Sequence, residues 1–232
     1  MSGYIKRTIE NQVIKLSQTF PVVMITGPRQ VGKTTLLNRL QKENNVKINY
    51  VSLDDLNIRT LAIEDPELFF RTYKEPLIID EFQYAPNLLT YIKIIVDKKR
   101  LDNLDNNKVQ TNGLFFLTGS QAFQTMNVAS ESLAGRVGIL DLNGLSNREI
   151  EGKKEEIFIP DLNILSEKEK LTSKSTISLY KKIIKGSYPE LYNNTKIDRE
   201  MFYSSYIRTY IERDIRQLIN VQDEIRFLKF IN

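Results

Sequence analysis

The sequence predicts an α/β fold, a three-layer sandwich with a central, mostly parallel sheet, followed by a small helical region. Three observations predict it. Apolar runs recur through the first 150 residues, at Pro21–Ile25, Val46–Leu53, Pro76–Ile79, Gly113–Leu117 and Val137–Leu142, and helical patterns separate them. Strands that alternate with helices in this way form a parallel sheet covered on both faces, and several of these runs are continuously apolar, as strands buried on both sides must be. From Leu145 onward the strand signal fades. The length of 232 residues fits one large domain, or one domain with a smaller appendage.

The elements follow in order. Ile5, Ile9, Val13, Ile14 and Leu16 approximate one face of a helix over Tyr4 to Gln18, inside an N-terminal segment 1–20. Pro21–Ile25 reads as a buried strand entering a glycine turn at Gly27, and a helix follows at about Lys33 to Lys42. Val46–Leu53 alternates like a strand, and Asp54-Asp55 after it reads as helix capping. Asp65-Pro66-Glu67 opens another helix, with a capping carboxylate and proline at the first position. Ala85–Lys99 places Leu88, Leu89, Ile92, Ile95 and Val96 on one side of a helix. Arg100–Asn112 is rich in Asp and Asn and reads as a surface loop.

Past the last strand, a short helix is expected at about 146–152, and one over Thr176–Lys185 closed by Gly186. A long amphipathic helix follows over Arg199–Ile219, and another is opened by Asp223. The domain reading is a core at 21–150, a connector at 151–175, and the helical start of a C-terminal domain at 176–232.

Composition narrows the chemistry. Hydrophobic residues make up 41% and charged residues 27%, enough to build a core and to exclude disorder throughout. With no Cys there is no disulfide, thiolate nucleophile or iron–sulfur cluster, and with no His there is no imidazole base or ligand. Carboxylates, hydroxyls, Lys, Arg, backbone amides and hard cations remain, and all of them suit phosphate substrates. The net charge of +4 is spread evenly, with 18 basic and 16 acidic side chains in residues 1–150 and 15 and 13 in the remainder. Interspersed charge gives weak support to a nucleic-acid partner. No run approaches the ~18 apolar residues of a membrane span, and a cytoplasmic location is expected.

The segment that carries the chemistry is Gly27-Pro28-Arg29-Gln30-Val31-Gly32-Lys33-Thr34-Thr35, the Walker A pattern G-x-x-x-x-G-K-[ST], with an apolar strand before it and a helix after it. Glycines let the backbone curl so that its N–H groups point inward, the helix N-terminus adds positive potential, and Lys33 neutralises the outer phosphates. Thr34 is expected to place its hydroxyl on magnesium. The fold expectation thus sharpens to a P-loop NTPase sandwich. Pro76-Leu-Ile-Ile-Asp80-Glu81 is the matching Walker B strand: Asp80 is expected to hold Mg2+, and Glu81 to polarise the attacking water as a general base.

Leu117-Thr118-Gly119-Ser120 ends the Gly113 strand, where a hydroxyl, with Ser120 the candidate, either senses the terminal phosphate or orients the water, or Ser120 caps an ordinary strand-end turn. Arg136 and Arg29 are candidates for the arginine that stabilises transition-state charge, in cis or from a neighbouring subunit. A GTPase is expected to place Gly three residues after the metal-binding Asp. Gln83 stands there, which favours ATP.

These segments resemble a family of prokaryotic AAA-like P-loop ATPases whose core precedes a C-terminal domain of unknown function. The likeness rests on GPRQVGKTTLL, YVSLDD, PLIIDEFQYAP, FFLTGSQAF, ESLAGRVGIL, GSYPELY and YIRTYIERDIRQL. It implies ATP, Mg2+, Glu81 as the water-activating residue, and an extra strand between those bearing Lys33 and Asp80. It also implies that the second domain begins near Gly186–Glu190 and that family members run on past Asn232. Two readings of the apolar Ile225–Ile231 segment follow: the chain is a fragment of a longer protein, or this face packs on the core, on a protein partner or on another subunit. Two rival readings accompany ATP hydrolysis: a nucleotide-dependent switch or scaffold, and an ATP-driven protein acting on DNA or RNA.

Overall fold

The computed structural model describes residues 3–43, 47–105, 109–119, 132–154, 159–163, 175–194 and 196–210. Five strands, β1 (Val22–Thr26), β2 (Asn49–Ser52), β3 (Leu77–Asp80), β4 (Phe115–Thr118) and β5 (Val137–Asp141), form one sheet in the order β2-β3-β4-β1-β5. Every adjacent pair is parallel. β4 lies between β1 and β3, the inserted strand that the resemblance implies.

The two-residue period of the strands divides the core into two layers. Val22 and Met24 of β1, Leu77 and Ile79 of β3, and Phe115 and Leu117 of β4 face one layer. Val23, Ile25, Ile78 and Phe116 face the other. Helices α3 (Leu56–Glu64), α4 (Pro66–Thr72) and α5 (Leu88–Asp105) cover the first with Ala62, Phe69, Phe70, Leu88, Leu89, Ile92 and Val96. Helices α1 (Glu10–Thr19) and α2 (Lys33–Glu43) cover the second with Val13, Leu36, Leu37 and Leu40. Continuous apolar runs are therefore what these central strands require.

Local signals fix the helix starts. The Asp55 carboxylate accepts the N–H groups of Asn57 and Ile58 at the head of α3, and Asp65 accepts Leu68 N–H at the head of α4, where Pro66 occupies the first turn. Ser146 and Glu149 form a reciprocal capping box on α6 (Asn147–Ile150).

Two expectations are corrected. The first helix starts at Glu10 rather than Tyr4, because the Glu10 carboxylate accepts Arg7 N–H and the Glu149 carboxylate accepts Thr8 N–H. Those bonds draw the preceding residues into a non-helical path. The expected loop from Arg100 is helical as far as Asp105, because α5 runs on past the core with Leu101 and Leu104 in solvent.

The chain divides into two compact units. One comprises Tyr4–Glu169 with Ser187–Pro189 and contains the sheet. The other comprises the first three residues, Lys170–Gly186 and Glu190–Asn232, and contains α7 (Thr176–Lys185), α8 (Glu190–Asn193) and α9 (Arg199–Tyr210). Gly186 ends α7 at φ +79°, and a Cβ there would lie 1.8 Å from the Tyr203 hydroxyl. Tyr203 donates to Lys185 O at 2.9 Å, and Tyr192 donates to Gly186 O at 2.8 Å. Phe202 stacks on Tyr206 with ring centroids 6.4 Å apart, so part of the aromatic face of α9 is used in local packing. The extension of α9 to Ile219, the helix opened at Asp223 and the Ile225–Ile231 segment lie outside the described residues.

Candidate functional site

β1 leaves the sheet at Thr26, and the chain turns through Gly27–Gly32 into α2. Gly27 has φ +135°, and a Cβ on it would sit 2.1 Å from the Leu142 carbonyl oxygen, so both conformation and space exclude a side chain. Gly32 has φ +93°, and Gln30 takes φ +60° without being glycine. The loop is curled, and the first turn of α2 lends it N–H groups without partners inside the helix. Val31 is buried and its side chain joins the core under α2, so it contributes to the loop through its backbone. Pro28, Gln30 and Thr35 are exposed, and Arg29 is half-buried.

Lys33 is the first residue of α2 and is buried in spite of its charge. Its Nζ donates to Gly27 O and Pro28 O, both at 2.9 Å, so the amine closes the loop from within. Thr34 Oγ1 lies 3.0 Å from both carboxylate oxygens of Asp80, at the end of β3. The loop and the acidic strand end are therefore in direct contact. Glu81 follows in the left-handed region, φ 55° and ψ 43°, and accepts a hydrogen bond from the Gln83 side-chain amide. A non-glycine residue held there is strained by about 1–3 kcal/mol.

Two further hydroxyls meet Asp80. Thr118 at the end of β4 donates to Oδ1, and Tyr50 of the edge strand β2 donates to Oδ2 at 3.0 Å. Burial and the neighbouring Asp80 charge push the Tyr50 phenol up to about 12. Sequence reading singled out neither group as a ligand of Asp80. Both depend on register: Ser52 pairs with Asp80 across β2 and β3, and Ile79 pairs with Leu117 across β3 and β4, which brings residues 50, 80 and 118 to one end of the sheet. The parallel order of the strands was the available signal, since it carries every strand C-terminus to the same edge.

Ser120 lies outside the described residues. Arg136 precedes β5, and its carbonyl pairs with Val22 N–H at the start of β1, whereas the glycine loop follows the end of β1. A strand of five residues spans about 16 Å at ~3.3 Å per residue. Arg136 is thus at the far edge of the sheet, bound to Asp97 through Nε at 2.7 Å and Nη2 at 3.0 Å and to Ala134 O at 3.0 Å. That pairing holds the Asp97 carboxyl below its usual range. Of the two placements expected for Arg136, strand direction separates it from the loop of its own chain, and the loop of a neighbouring subunit is the other.

This fold and this loop define a class, the P-loop NTPases. Residues 19–151 match the model of the AAA domain family, and the chain belongs to that family. Residues 176–232 match a domain of unknown function, DUF8612. The uncharacterized proteins Rv2008c of Mycobacterium tuberculosis and Mb2031c of Mycobacterium bovis are each 29% identical to it over 199 residues. That match covers 85% of this chain, which spans only 37% of the length of either relative. The Walker-type ATPase PABY2304 of Pyrococcus abyssi superposes with a TM-score of 0.51 at 14% identity, over 93% of this chain and 75% of its own, a likeness of fold. Among the described residues no helix is long and apolar enough to cross a membrane.

Proposed function

We propose that the protein binds Mg-ATP and hydrolyses it to ADP and phosphate. The observation that carries this reading is the contact of Thr34 Oγ1 with the Asp80 carboxylate at 3.0 Å, which joins the phosphate loop to the acidic strand end. In this reading Lys33 and the N–H groups of Gly27–Thr35 hold the phosphates, with the Lys33 amine exchanging two loop carbonyls for phosphate oxygens.

The residues fit magnesium. Thr34 and Asp80 present hard oxygen donors in mutual contact, and among the described residues no group of three or more acidic side chains gathers to form a complete cage. Mg2+ typically takes one or two protein oxygens and completes its shell with phosphate oxygens and water. When bound, it neutralises charge on the phosphates. Glu81 accepts a proton from water as the water oxygen bonds to the terminal phosphorus and the bridging P–O bond breaks, leaving ADP.

Phosphate release measured with and without Mg2+ tests this reading. Wild-type protein is expected to turn ATP over only with the metal. Glu81→Gln is expected to lose at least about 100-fold in rate while still binding ATP in calorimetry. Equal rates in the two proteins would remove Glu81 from the reaction, and an absence of ATP uptake by the wild type would remove the whole reading.

A further inference from the structure

Arg7 lies outside every motif of the loop and strand ends, yet its side chain is 5% exposed, and its guanidinium reaches the loop itself. Nη1 donates to Val31 O at 2.9 Å. Nη2 donates to Asn143 O at 2.7 Å and lies 3.3 Å from Gly144 O. Nε forms an ion pair with Glu149 at 3.2 Å, and that carboxylate is also buried and accepts the N–H groups of Thr8 and Ser146. A buried guanidinium is costly unless its charge is paired and its donors are used: here Nη1 and Nη2 are taken by three carbonyls and the Glu149 carboxylate pairs the charge, while Nε makes no hydrogen bond of its own. One side chain thus ties together the segment before α1, the nucleotide loop, the turn after β5 and the cap of α6.

The contact with Val31 bears on phosphate binding. In a trans peptide the C=O and the following N–H point in opposite directions. With the Val31 carbonyl held on Arg7, the Gly32 N–H is turned to the other side of the peptide. Gly32, at φ +93° and with no neighbour within 3.4 Å of a would-be Cβ, has the freedom to point that N–H elsewhere if the carbonyl is released. The turn that Arg7 also grips is anchored in its own right: Leu145 N–H donates to Ser187 O at 2.7 Å, and a Cβ on Gly144 would meet Ser187 Oγ at 2.2 Å.

We propose that Arg7 is a positioning residue for phosphate binding: it grips the Val31 carbonyl against the fixed turn at Asn143-Gly144 and so aims the Gly32 N–H into the phosphate cradle. The proposal rests on the nucleotide-binding reading for its consequence, but its structural core is separable from that reading. Lysine keeps the charge but lacks the planar fork whose two separate terminal nitrogens reach the loop and the turn from one fixed plane.

Hydrogen exchange on the nucleotide-free protein, wild type against Arg7→Lys and Arg7→Met, tests the grip directly. Both variants are expected to exchange the amides of residues 30–34 about tenfold faster at a temperature where circular dichroism shows them folded. A fluorescent ATP analogue is expected to bind each about tenfold more weakly. A purely structural role would lower the melting temperature and leave loop exchange and affinity of the folded protein unchanged, and that result overturns the proposal. If both variants fail to fold, Glu149→Gln, which keeps an acceptor for Thr8 N–H and removes the charge anchoring the guanidinium, is read in the same way. Unchanged loop exchange in that variant would also overturn it. Faster loop exchange in a protein whose wild type takes up no nucleotide would support the grip and sink the ATP reading instead.

Discussion

Single side chains of the site sit under opposing demands that give definite predictions. At Gly27 the φ of +135° and the Leu142 carbonyl oxygen leave no place for a methyl group. Gly27→Ala is expected to cost about 2 kcal/mol or more in a denaturant titration and to abolish ATP binding in calorimetry. Glu149 couples stability to pH. Burial alone would raise its carboxyl, but the N–H donors of Thr8 and Ser146 together with Arg7 outweigh that and hold it below the ordinary range. Its contribution is therefore fully present above the unfolded value of about 4.3 and is lost as pH falls through the lower folded value. Glu149→Gln is expected to melt at a lower temperature than wild type at pH 7, with the gap closing on acidification below that range. The positions of Lys33, Thr34, Asp80 and Glu81 as candidates were legible because the loop pattern and the acid pair are local in sequence. Tyr50 and Thr118 were not legible as partners of Asp80, because each reaches it only through strand pairing.

Among the elements, α4 and the free end of α5 form a contrasting pair. Phe69 is fully buried and packs edge-on against Phe70 with ring centroids 5.1 Å apart. Phe69→Ala is expected to cost about 3–5 kcal/mol in urea denaturation. Leu101, which is 64% exposed on the overhang of α5, is expected to be replaceable by Ala within about 0.5 kcal/mol. The same contrast explains which boundaries were readable. The starts of α3 and α4 carry capping carboxylates that act within three residues, so Asp55 and Asp65 announce them. The end of α5 carries no such signal, since its last turn mixes Asp and Asn with the exposed Leu101 and Leu104 and holds no glycine or proline, and an Asp- and Asn-rich stretch reads as loop until the backbone is seen. The late start of α1 was hidden because the carboxylate that draws Thr8 away from helix comes from residue 149, far along the chain.

At the scale of the molecule, the parallel sheet sorts residues between its two edges. The C-terminal strand ends collect Gly27, Asp80 and Thr118, while Arg136 falls at the opposite edge in a partly exposed pair with Asp97. Arg136→Ala is expected to leave ATP affinity at the wild-type value and to cost no more than about 1 kcal/mol in stability, checked by calorimetry and thermal melting. A large loss of affinity would instead place Arg136 at the loop of a neighbouring subunit. The sequence by itself determined the class of fold, the phosphate loop and the acid pair, because apolar runs, glycines and capping residues act over a few neighbours and leave their trace in order along the chain. Only the tertiary structure decided which hydroxyls meet Asp80, which edge receives Arg136, and that Arg7 reaches the loop. The contacts of Tyr50 and Thr118 with Asp80 and of Arg7 with Val31 join residues 24 to 38 positions apart, and their partners are set by tertiary placement, which no local pattern encodes.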